Sequence, residues 1–170
     1  MRARLLFAFT AVSLIAAPTL ARETAGPKAK IAKVLARQLQ DDFNRHSPAD
    51  INAAIEPVDI NADGIQDWQV SWNTFGPAWC GTGGCRYQLW LGRKSGMPVR
   101  VFDRQMRGLE IEKRAGRIVF VFDFHGTECG GTGAEACPGE FTWSAKRGRM
   151  VLLPTPARRT SMAAPIRPFG

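Results

Sequence analysis

The sequence predicts an α+β domain in which an N-terminal amphipathic helix is followed by a mostly antiparallel sheet of about seven strands. Between Pro27 and Arg45 apolar residues recur at every third or fourth position, as they do along one side of a helix. From Trp68 onward they recur at every second position, which is the period of a strand. The connections between the later segments are too short for crossover helices, so neighbouring strands should run antiparallel. Such a sheet can be curved, folded into a sandwich or closed into a partial barrel.

The predicted helix begins at Pro27, because proline is favoured at the first helical position. Its apolar side is formed by Ile31, Val34, Leu35, Leu39 and Phe43. The opposite side is basic, which would suit a membrane surface, but we interpret it as the outer side of a helix packed on the sheet. Farther along, Ser47 and Asp50 have the spacing of a capping box that opens a short second helical turn.

Strand patterns occur in six segments, 68–72, 87–91, 109–112, 118–122, 141–143 and 150–153. Alternation places Trp68, Val70 and Trp72 on one face of the first segment. In the second segment it likewise groups the side chains of Tyr87, Leu89 and Leu91. The apolar run from 118 to 122 is continuous, which predicts a central strand covered on both faces.

Residues 1–21 have the features of a secretory signal peptide. Arg2 and Arg4 precede a mainly apolar run of 13 residues, and small residues follow at positions 19 and 21. A membrane span needs about 20 apolar residues, which favours cleavage over a retained anchor. No second long apolar run follows, so we expect no transmembrane segment after cleavage and a periplasmic or secreted protein.

The rest of the chain is predicted to be one α+β domain, 22–153, and a disordered tail, 154–170, rich in proline and arginine. Removal of the signal peptide lowers the net charge from +8 to +6, because that segment contains two arginines and no acid. Anionic glycans or lipids of the cell envelope are the partners that a basic exported protein would meet, whereas nucleic acid is not expected there.

Export also decides how the four cysteines are interpreted, because exported proteins form disulfides. We predict local pairing, Cys80 with Cys85 and Cys129 with Cys137, because it would close two glycine-rich turns in which positive φ angles let the chain fold back. Pairing between the turns, for instance Cys80 with Cys129, remains open, and a zinc site is a weaker alternative.

The two cystine turns have similar surroundings. A Phe-Gly or Phe-His-Gly sequence precedes each turn, and each turn leads into a segment that contains a tryptophan, Trp90 or Trp143. This similarity suggests a two-fold repeat of strand, cystine loop and strand, although two glycine-rich turns alone would look the same.

The strongest chemical signal is an acidic loop, 59–67. Its side-chain oxygens fall at positions 1, 3, 5 and 9, and the loop contains Asp59, Asn61, Asp63, Ile65 and Asp67. Calcium prefers about six to eight hard oxygens, and Ile65 can add its carbonyl oxygen, so we predict a structural calcium site. A turn without metal is the alternative, because Asn, Asp and Gly are also ordinary turn formers.

The acidic loop resembles the D-x-[DN]-x-D-G-x-x-D calcium loops of integrin-type (FG-GAP) propeller blades, which also lead directly into a strand. It differs from an EF-hand, which would need Glu at the position that Val70 occupies. The stretch from Asp59 to Trp90, with this loop and a W-C-G-T-G-G-C motif, is similar to a group of small exported bacterial proteins of uncharacterised function. The resemblance implies export, disulfides and a β-rich fold, and it implies no particular activity.

No catalytic constellation is found in the sequence, and we expect a non-enzymatic protein. Neither G-x-S-x-G nor S-x-x-K supplies a nucleophile. Our primary interpretation is an exported, non-enzymatic protein of uncharacterised role with a structural calcium loop and two local disulfides. A binding module for anionic envelope components is the role that we consider beside it. The alternative is an envelope hydrolase that uses the second cystine loop, with His125, Asp123 and Glu128 as its candidate groups.

Overall fold

The structure, a computed structural model, describes residues 25–39, 46–133 and 135–154. Its elements are α1 (Pro27–Gln38), α2 (Pro48–Ala53), β1 (Ile55–Val58), β2 (Asp67–Ser71), β3 (Cys80–Gly81), β4 (Gly84–Leu91), β5 (Val99–Met106), β6 (Gly108–Arg114), β7 (Arg117–His125), β8 (Ala136–Ser144) and β9 (Arg149–Leu152). The helix predicted to reach Arg45 ends at Gln38, with Leu39 as its C-cap. The predicted signal peptide, residues 40–45 and the tail beyond Pro154 lie outside the described residues.

Two antiparallel sheets confirm the α+β class, with a sandwich as the architecture. The first sheet contains β1, β2, β4 and β5 in that order, with the short β3 beside β4, and the second contains β6, β7, β8 and β9 in sequence order. The described part has nine strands rather than about seven. Strand β1 is short and contains Pro57, and β3 has only two residues, so neither shows an alternating pattern. Strand β5 was not predicted from the sequence. Its pairing with β4 contains a register shift at Leu89 and Trp90.

A single apolar cluster fills the space between the sheets. Leu89, Phe102 and Met106 enter it from the first sheet, and a group of phenylalanines enters from the second. Phe141 lies at the centre of this group, with its ring centroid 4.7 Å from Phe102, 5.2 Å from Phe120 and 4.9 Å from Phe122. Offset aromatic packing at these distances adds to the stabilisation that burial alone provides, so this cluster holds the two sheets together.

The helices cover the opposite face of the first sheet. Ile31 and Leu35 of α1 are fully buried in one cluster with Val70 and Trp72, which confirms that these two residues face the same side, although Trp72 lies on the 3-10 turn after β2. The capping box is also confirmed, because Ser47 and Asp50 exchange backbone and side-chain hydrogen bonds at the start of α2. Of the α-helices within the described ranges, none combines the length and hydrophobicity that crossing a membrane requires.

Strand β7 is central in the second sheet, but a packed layer covers only one of its faces. Phe120 and Phe122 point into the core between the sheets. Across the outer face, Arg114 of β6 pairs with Glu112 at 2.6 Å and with Glu140 of β8 at 2.8 Å. Because β7 lies between β6 and β8, this ion-pair bridge must cross it. The continuous apolar run of β7 predicted a strand with a packed layer on each face. Long charged side chains cover its outer face instead.

The two halves of the chain have the same strand order. β1, β2, β4 and β5 form one antiparallel meander, and β6, β7, β8 and β9 form another. In each meander a cystine loop connects the second strand to the third, β2 to β4 in one and β7 to β8 in the other. This correspondence supports the repeat that the sequence suggested.

We predict that replacing Phe141 with Ala lowers the free energy of unfolding by about 3–5 kcal/mol, because the cavity would lie among three other rings. Urea unfolding of the oxidised protein measures the loss. Ile111→Ala is the matched control, since Ile111 is 39% exposed and should cost about 1 kcal/mol or less. Equal losses for the two variants would contradict the central role of the phenylalanine cluster.

Candidate functional site

The two disulfides close the loops locally, as predicted. Cys80 is bonded to Cys85 and Cys129 to Cys137, and no free cysteine is found in the described residues. Each bond connects the loop to the first residues of the strand that follows it. The loops are therefore fixed to the rigid sheets, which is the arrangement expected of exposed segments in an exported protein.

Arg107 and Asp123 hold the second cystine loop against the sheet. One guanidinium nitrogen of Arg107 donates to the carbonyl oxygen of Gly133 at 2.8 Å and also to that of Glu135. Asp123 accepts a hydrogen bond from the backbone N–H of Cys137 at 2.7 Å, and its other oxygen lies 3.9 Å from Arg107 Nε. Both charged side chains therefore form hydrogen bonds with the backbone of the second cystine loop, which is a structural role.

His125 lies between the two cystine loops. Its Nδ1 is 2.7 Å from the hydroxyl of Thr127 in the second loop, and its Nε2 is 3.3 Å from the hydroxyl of Thr82 in the first. The ring therefore contacts two threonines rather than Asp123, which faces Arg107 and the backbone. Glu128 is exposed on the 3-10 turn Gly126–Cys129. The three groups named for a hydrolase are thus close in sequence, but the described hydrogen bonds do not join them into an acid–base pair.

The acidic loop connects β1 to β2, and its oxygens accept hydrogen bonds from the loop backbone. Asp59 accepts from the N–H of Ala62 at 2.7 Å, and Asp63 accepts from the N–H of Ile65 at 2.8 Å. Asn61 donates to Asp63 at 2.8 Å. The side chains at positions 1, 3 and 5 of the loop therefore turn towards its interior, as in an Asx turn. Gly64 has a φ of 78°, which lets the chain reverse at position 6.

Asp67 closes this loop and ties it to the rest of the first sheet. Its side chain is fully buried, and its two oxygens accept from the backbone N–H groups of Ile60 at 2.9 Å and Gly92 at 2.7 Å. Burial raises the pKa of Asp67 above its ordinary value, more than these two hydrogen bonds lower it. The carboxylates of Asp63 and Asp59 raise it further.

Of the predicted calcium ligands, the structure gathers Asp59, Asn61 and Asp63 on one exposed turn, with Ile65 beside them and Asp67 buried beneath. Within the described ranges, no three His, Cys, Asp or Glu side chains are grouped closely enough to hold a metal ion. The calcium site stays a prediction.

A third feature, which we call the arginine pocket, opens beside the first cystine loop. Its volume is about 490 Å³. The residues that line it are Ala78, Trp79, Cys80, Arg86, Asp103, Arg104 and Gln105. They come from the 3-10 turn before β3 and from neighbouring positions on β4 and β5, because the register pairs Arg86 with Gln105 and Tyr87 with Arg104.

Asp103 is the only acid in the lining of the arginine pocket, and donors already surround it. Arg86 donates to it through two nitrogens, at 2.6 Å each, and Arg100 approaches it at 2.9 Å. The amide of Gln88, which is fully buried, donates to the same carboxylate at 3.3 Å. The hydrogen bonds to Asp103 raise the pKa of Arg86. One carboxylate thus faces two guanidinium groups, and Arg104 adds another positive charge to the lining.

Aromatic rings hold these arginines in place. The guanidinium carbon of Arg86 lies 4.7 Å from the ring centroid of Trp72, and that of Arg100 lies 5.8 Å from Trp90. Trp79 packs on Trp72 with a centroid distance of 4.5 Å. Such cation–π contacts attract a guanidinium group to the face of a ring and restrict its motion. The pocket is therefore a largely preformed cationic surface with a half-buried tryptophan at its edge.

Sequence reasoning did not identify the arginine pocket. Its acid and two of its polar residues lie on β5, a strand that the periodicity did not reveal. The alternation of polar and apolar residues from Phe102 to Met106 was the available signal, but it could not show that Asp103 would lie next to Arg86.

No protein-family model, curated protein or solved structure matches this chain. The site must therefore be argued from its geometry.

We predict that Asp67→Asn lowers the free energy of unfolding by about 1–3 kcal/mol, because the amide NH2 would face one of the two buried backbone N–H groups, donor against donor, whereas both oxygens of a carboxyl group can accept. The pKa of Asp67 is raised in the fold, so its contribution to stability is complete below the ordinary value of 3.8 and is lost as the pH rises through the folded-state pKa. The stability difference between wild type and variant should therefore shrink as the pH rises.

Urea unfolding of both proteins in EDTA, at several pH values from about 3 to 7, measures this difference. The chelator excludes any contribution of metal, and the remaining carboxyls are common to both proteins. If the difference in unfolding free energy instead grows with pH, the two hydrogen bonds from backbone N–H groups affect the pKa of Asp67 more than its burial does.

Proposed function

We propose that this protein is an exported, non-enzymatic binding module that holds an anionic glycan of the cell envelope in the arginine pocket. The two local disulfides are consistent with an exported protein. The observation that carries the proposal is the charge of the pocket, whose single acid, Asp103, is shared by Arg86 and Arg100 and already receives three hydrogen bonds.

A glycan fits this pocket better than a lipid surface does. A lipid bilayer is contacted by an extended basic or apolar face, whereas these charges line a concave surface beside a tryptophan. Planar polar side chains and an aromatic ring also suit a ligand with many hydroxyl groups and a less polar ring face.

We predict that Arg104→Ala weakens the binding of a short oligogalacturonate about three- to tenfold at low salt, because it removes one positive charge from an exposed part of the pocket. Isothermal titration calorimetry of the mature chain measures the affinity, which should also fall as salt is added.

Arg117→Ala is the matched control, since Arg117 is also exposed but lies on β7, outside the pocket. His125→Ala should also leave the affinity unchanged. Equal effects of the two arginine variants would contradict binding in the pocket. Tighter, Arg104-independent binding to phosphatidylglycerol vesicles would point to the lipid instead.

We also propose that the acidic loop binds calcium as a structural ion. The spacing of its four side-chain oxygens supports this, as does the mutual repulsion of its carboxylates, which a cation would relieve. The bound ion would stabilise the connection between β1 and β2, and through Asp67 the connection after β4.

We predict that calcium raises the melting temperature of the mature chain by several degrees relative to EDTA, and that magnesium at equal concentration does so less. A ligand at 100 times its Kd adds about 2.7 kcal/mol to the stability of the folded state. Asp63→Ala should abolish the rise, while Glu110→Ala, which removes an exposed carboxylate of β6, should keep it. If calcium does not raise the melting temperature of the wild type, the loop is an ordinary turn without a metal ion.

The hydrolase alternative has weaker support. A His-based general base needs its ring close to a nucleophile and oriented by a third group. In the described residues His125 contacts two threonine hydroxyls across the cystine loops, an arrangement that also serves to join the loops.

A further inference from the structure

We propose that the protein docks on the surface of a bilayer that contains anionic lipids, through the β4–β5 loop (residues 92–98), the first residue of β5 and the outer side of α1. The apolar side chains of Met97 and Val99 enter the interfacial layer, and the basic side chains of the loop and of α1 lie on the lipid headgroups. This contact goes beyond the proposed function, because none of these residues belongs to the lining of the arginine pocket.

The first argument is the exposure of apolar side chains at the end of this loop. Met97 is 56% exposed and Val99 is 43% exposed, and Ile111 is the only other exposed large hydrophobic side chain among the described residues. Between the two lies Pro98, which has no backbone N–H that would lose a hydrogen bond with water on docking. Such a projecting apolar pair is unfavourable in water and is stabilised at the interface of a bilayer.

The second argument is the charge around this apolar pair. Arg93 and Lys94 are exposed in the loop, and Lys33 is exposed on α1. None of these three side chains forms an ion pair with another described residue. The segments 26–39 and 92–102 contain no acidic residue. The surface therefore complements an anionic bilayer, which attracts each lysine or arginine that lies near its headgroups.

The third argument is that the fold holds the loop beside α1. Lys30 of α1 donates through Nζ to the carbonyl oxygen of Gly96 at 2.8 Å, which brings the helix next to the loop. Gly96 itself donates to the carbonyl oxygen of Arg93 at 2.8 Å and has a φ of 71°, so the chain reverses there. At the start of the loop, Gly92 donates to the buried carboxylate of Asp67 at 2.7 Å. A folded turn thus presents the charges and the apolar pair, which lowers the entropic cost of docking.

An anionic bilayer suits this surface better than a glycan or an acidic protein does. A glycan can balance the charges, but it offers no apolar phase to Met97 and Val99. An acidic protein would need an apolar recess that matches the turn, whereas the soft interface of a bilayer needs no matching shape. The basic side of α1, which the sequence indicated would suit a membrane surface, is exposed at Lys33 and Arg37 while the apolar side packs on the sheet.

The test measures the binding of the mature chain to unilamellar vesicles by co-sedimentation. At low salt we expect vesicles of phosphatidylglycerol and phosphatidylcholine to bind at least about tenfold more tightly than vesicles of phosphatidylcholine alone, and added salt to weaken this binding. The double variant Arg93→Ala/Lys94→Ala should weaken it about tenfold. Lys146→Ala/Arg147→Ala is the matched control, since these two exposed residues carry the same charge and also lie in a hairpin turn, between β8 and β9.

A second variant tests the apolar contact. Met97→Ser/Val99→Ser keeps the charge of the protein and should weaken binding to the mixed vesicles at least about fivefold, because two apolar side chains no longer enter the interface. Ile111→Ser is its control, since Ile111 is an exposed apolar residue on β6. Circular dichroism and the melting temperature show that each variant is folded.

The outcomes decide the inference. If the wild type binds phosphatidylcholine as tightly as the mixed vesicles, or if the two double variants that remove charge have equal effects, docking through the loop is wrong. If Met97→Ser/Val99→Ser changes nothing, the apolar contact is wrong and the inference fails. If Arg93→Ala/Lys94→Ala weakens the binding of oligogalacturonate or of a short oligoglutamate but not of vesicles, the loop binds a glycan or an acidic protein instead.

The proposed function is tested separately from this inference. Arg104→Ala should leave vesicle binding within about twofold of the wild type, and the loop variants should leave oligogalacturonate binding within the same range, because the two surfaces share no residue. If vesicles bind more tightly than oligogalacturonate and independently of Arg104, lipid is the main ligand. The loop variants then still decide whether the β4–β5 loop makes the contact.

Discussion

The pairing of β4 with its neighbours is the constraint on which the rest of the structure depends. β4 forms hydrogen bonds with β2, β3 and β5, so it connects every part of the first sheet except β1. One of its faces buries Leu89 in the core between the sheets, and the other buries Gln88 and Trp90 beneath the helices. Because the strand is buried on both faces, a shift of its register by one residue would place apolar and polar side chains in the wrong layers. The position of every residue on β5 follows from that register.

The candidate site is a consequence of this register. Gln88 lies opposite Asp103, and Arg86 is two residues away on the same face. Burial of Gln88 leaves its amide dependent on protein partners, and it donates to Asp103 while accepting from the indole N–H of Trp90. A buried amide with satisfied hydrogen bonds fixes Asp103, and Asp103 in turn fixes the arginines. The charge at the surface is thus positioned by a polar network that reaches into the layer between helix and sheet.

The features that could be predicted from the sequence are those that depend on residues near each other in the chain. The start of α1 at Pro27, the capping box at Ser47 and the local disulfides all arise within a few residues, and the structure confirms them. The arginine pocket depends instead on the pairing of β4 with β5, two strands joined by a turn. This pairing contains a register shift at Leu89 and Trp90. No local pattern encodes such a meeting, and the many exposed charges of β5 concealed its alternation.

The two halves of the fold share their strand order but not their chemistry, and the difference explains why a single pocket is proposed. In the first half Arg86 follows Cys85, whereas in the second Pro138 follows Cys137 and cannot contribute a charge. The strand that would complete a second pocket, β9, has four residues where β5 has eight. His125 instead joins the second cystine loop to Thr82 of the first. The second loop therefore contacts the first through His125, and the position of Thr82 in the first loop depends in part on the strand that leads into the second.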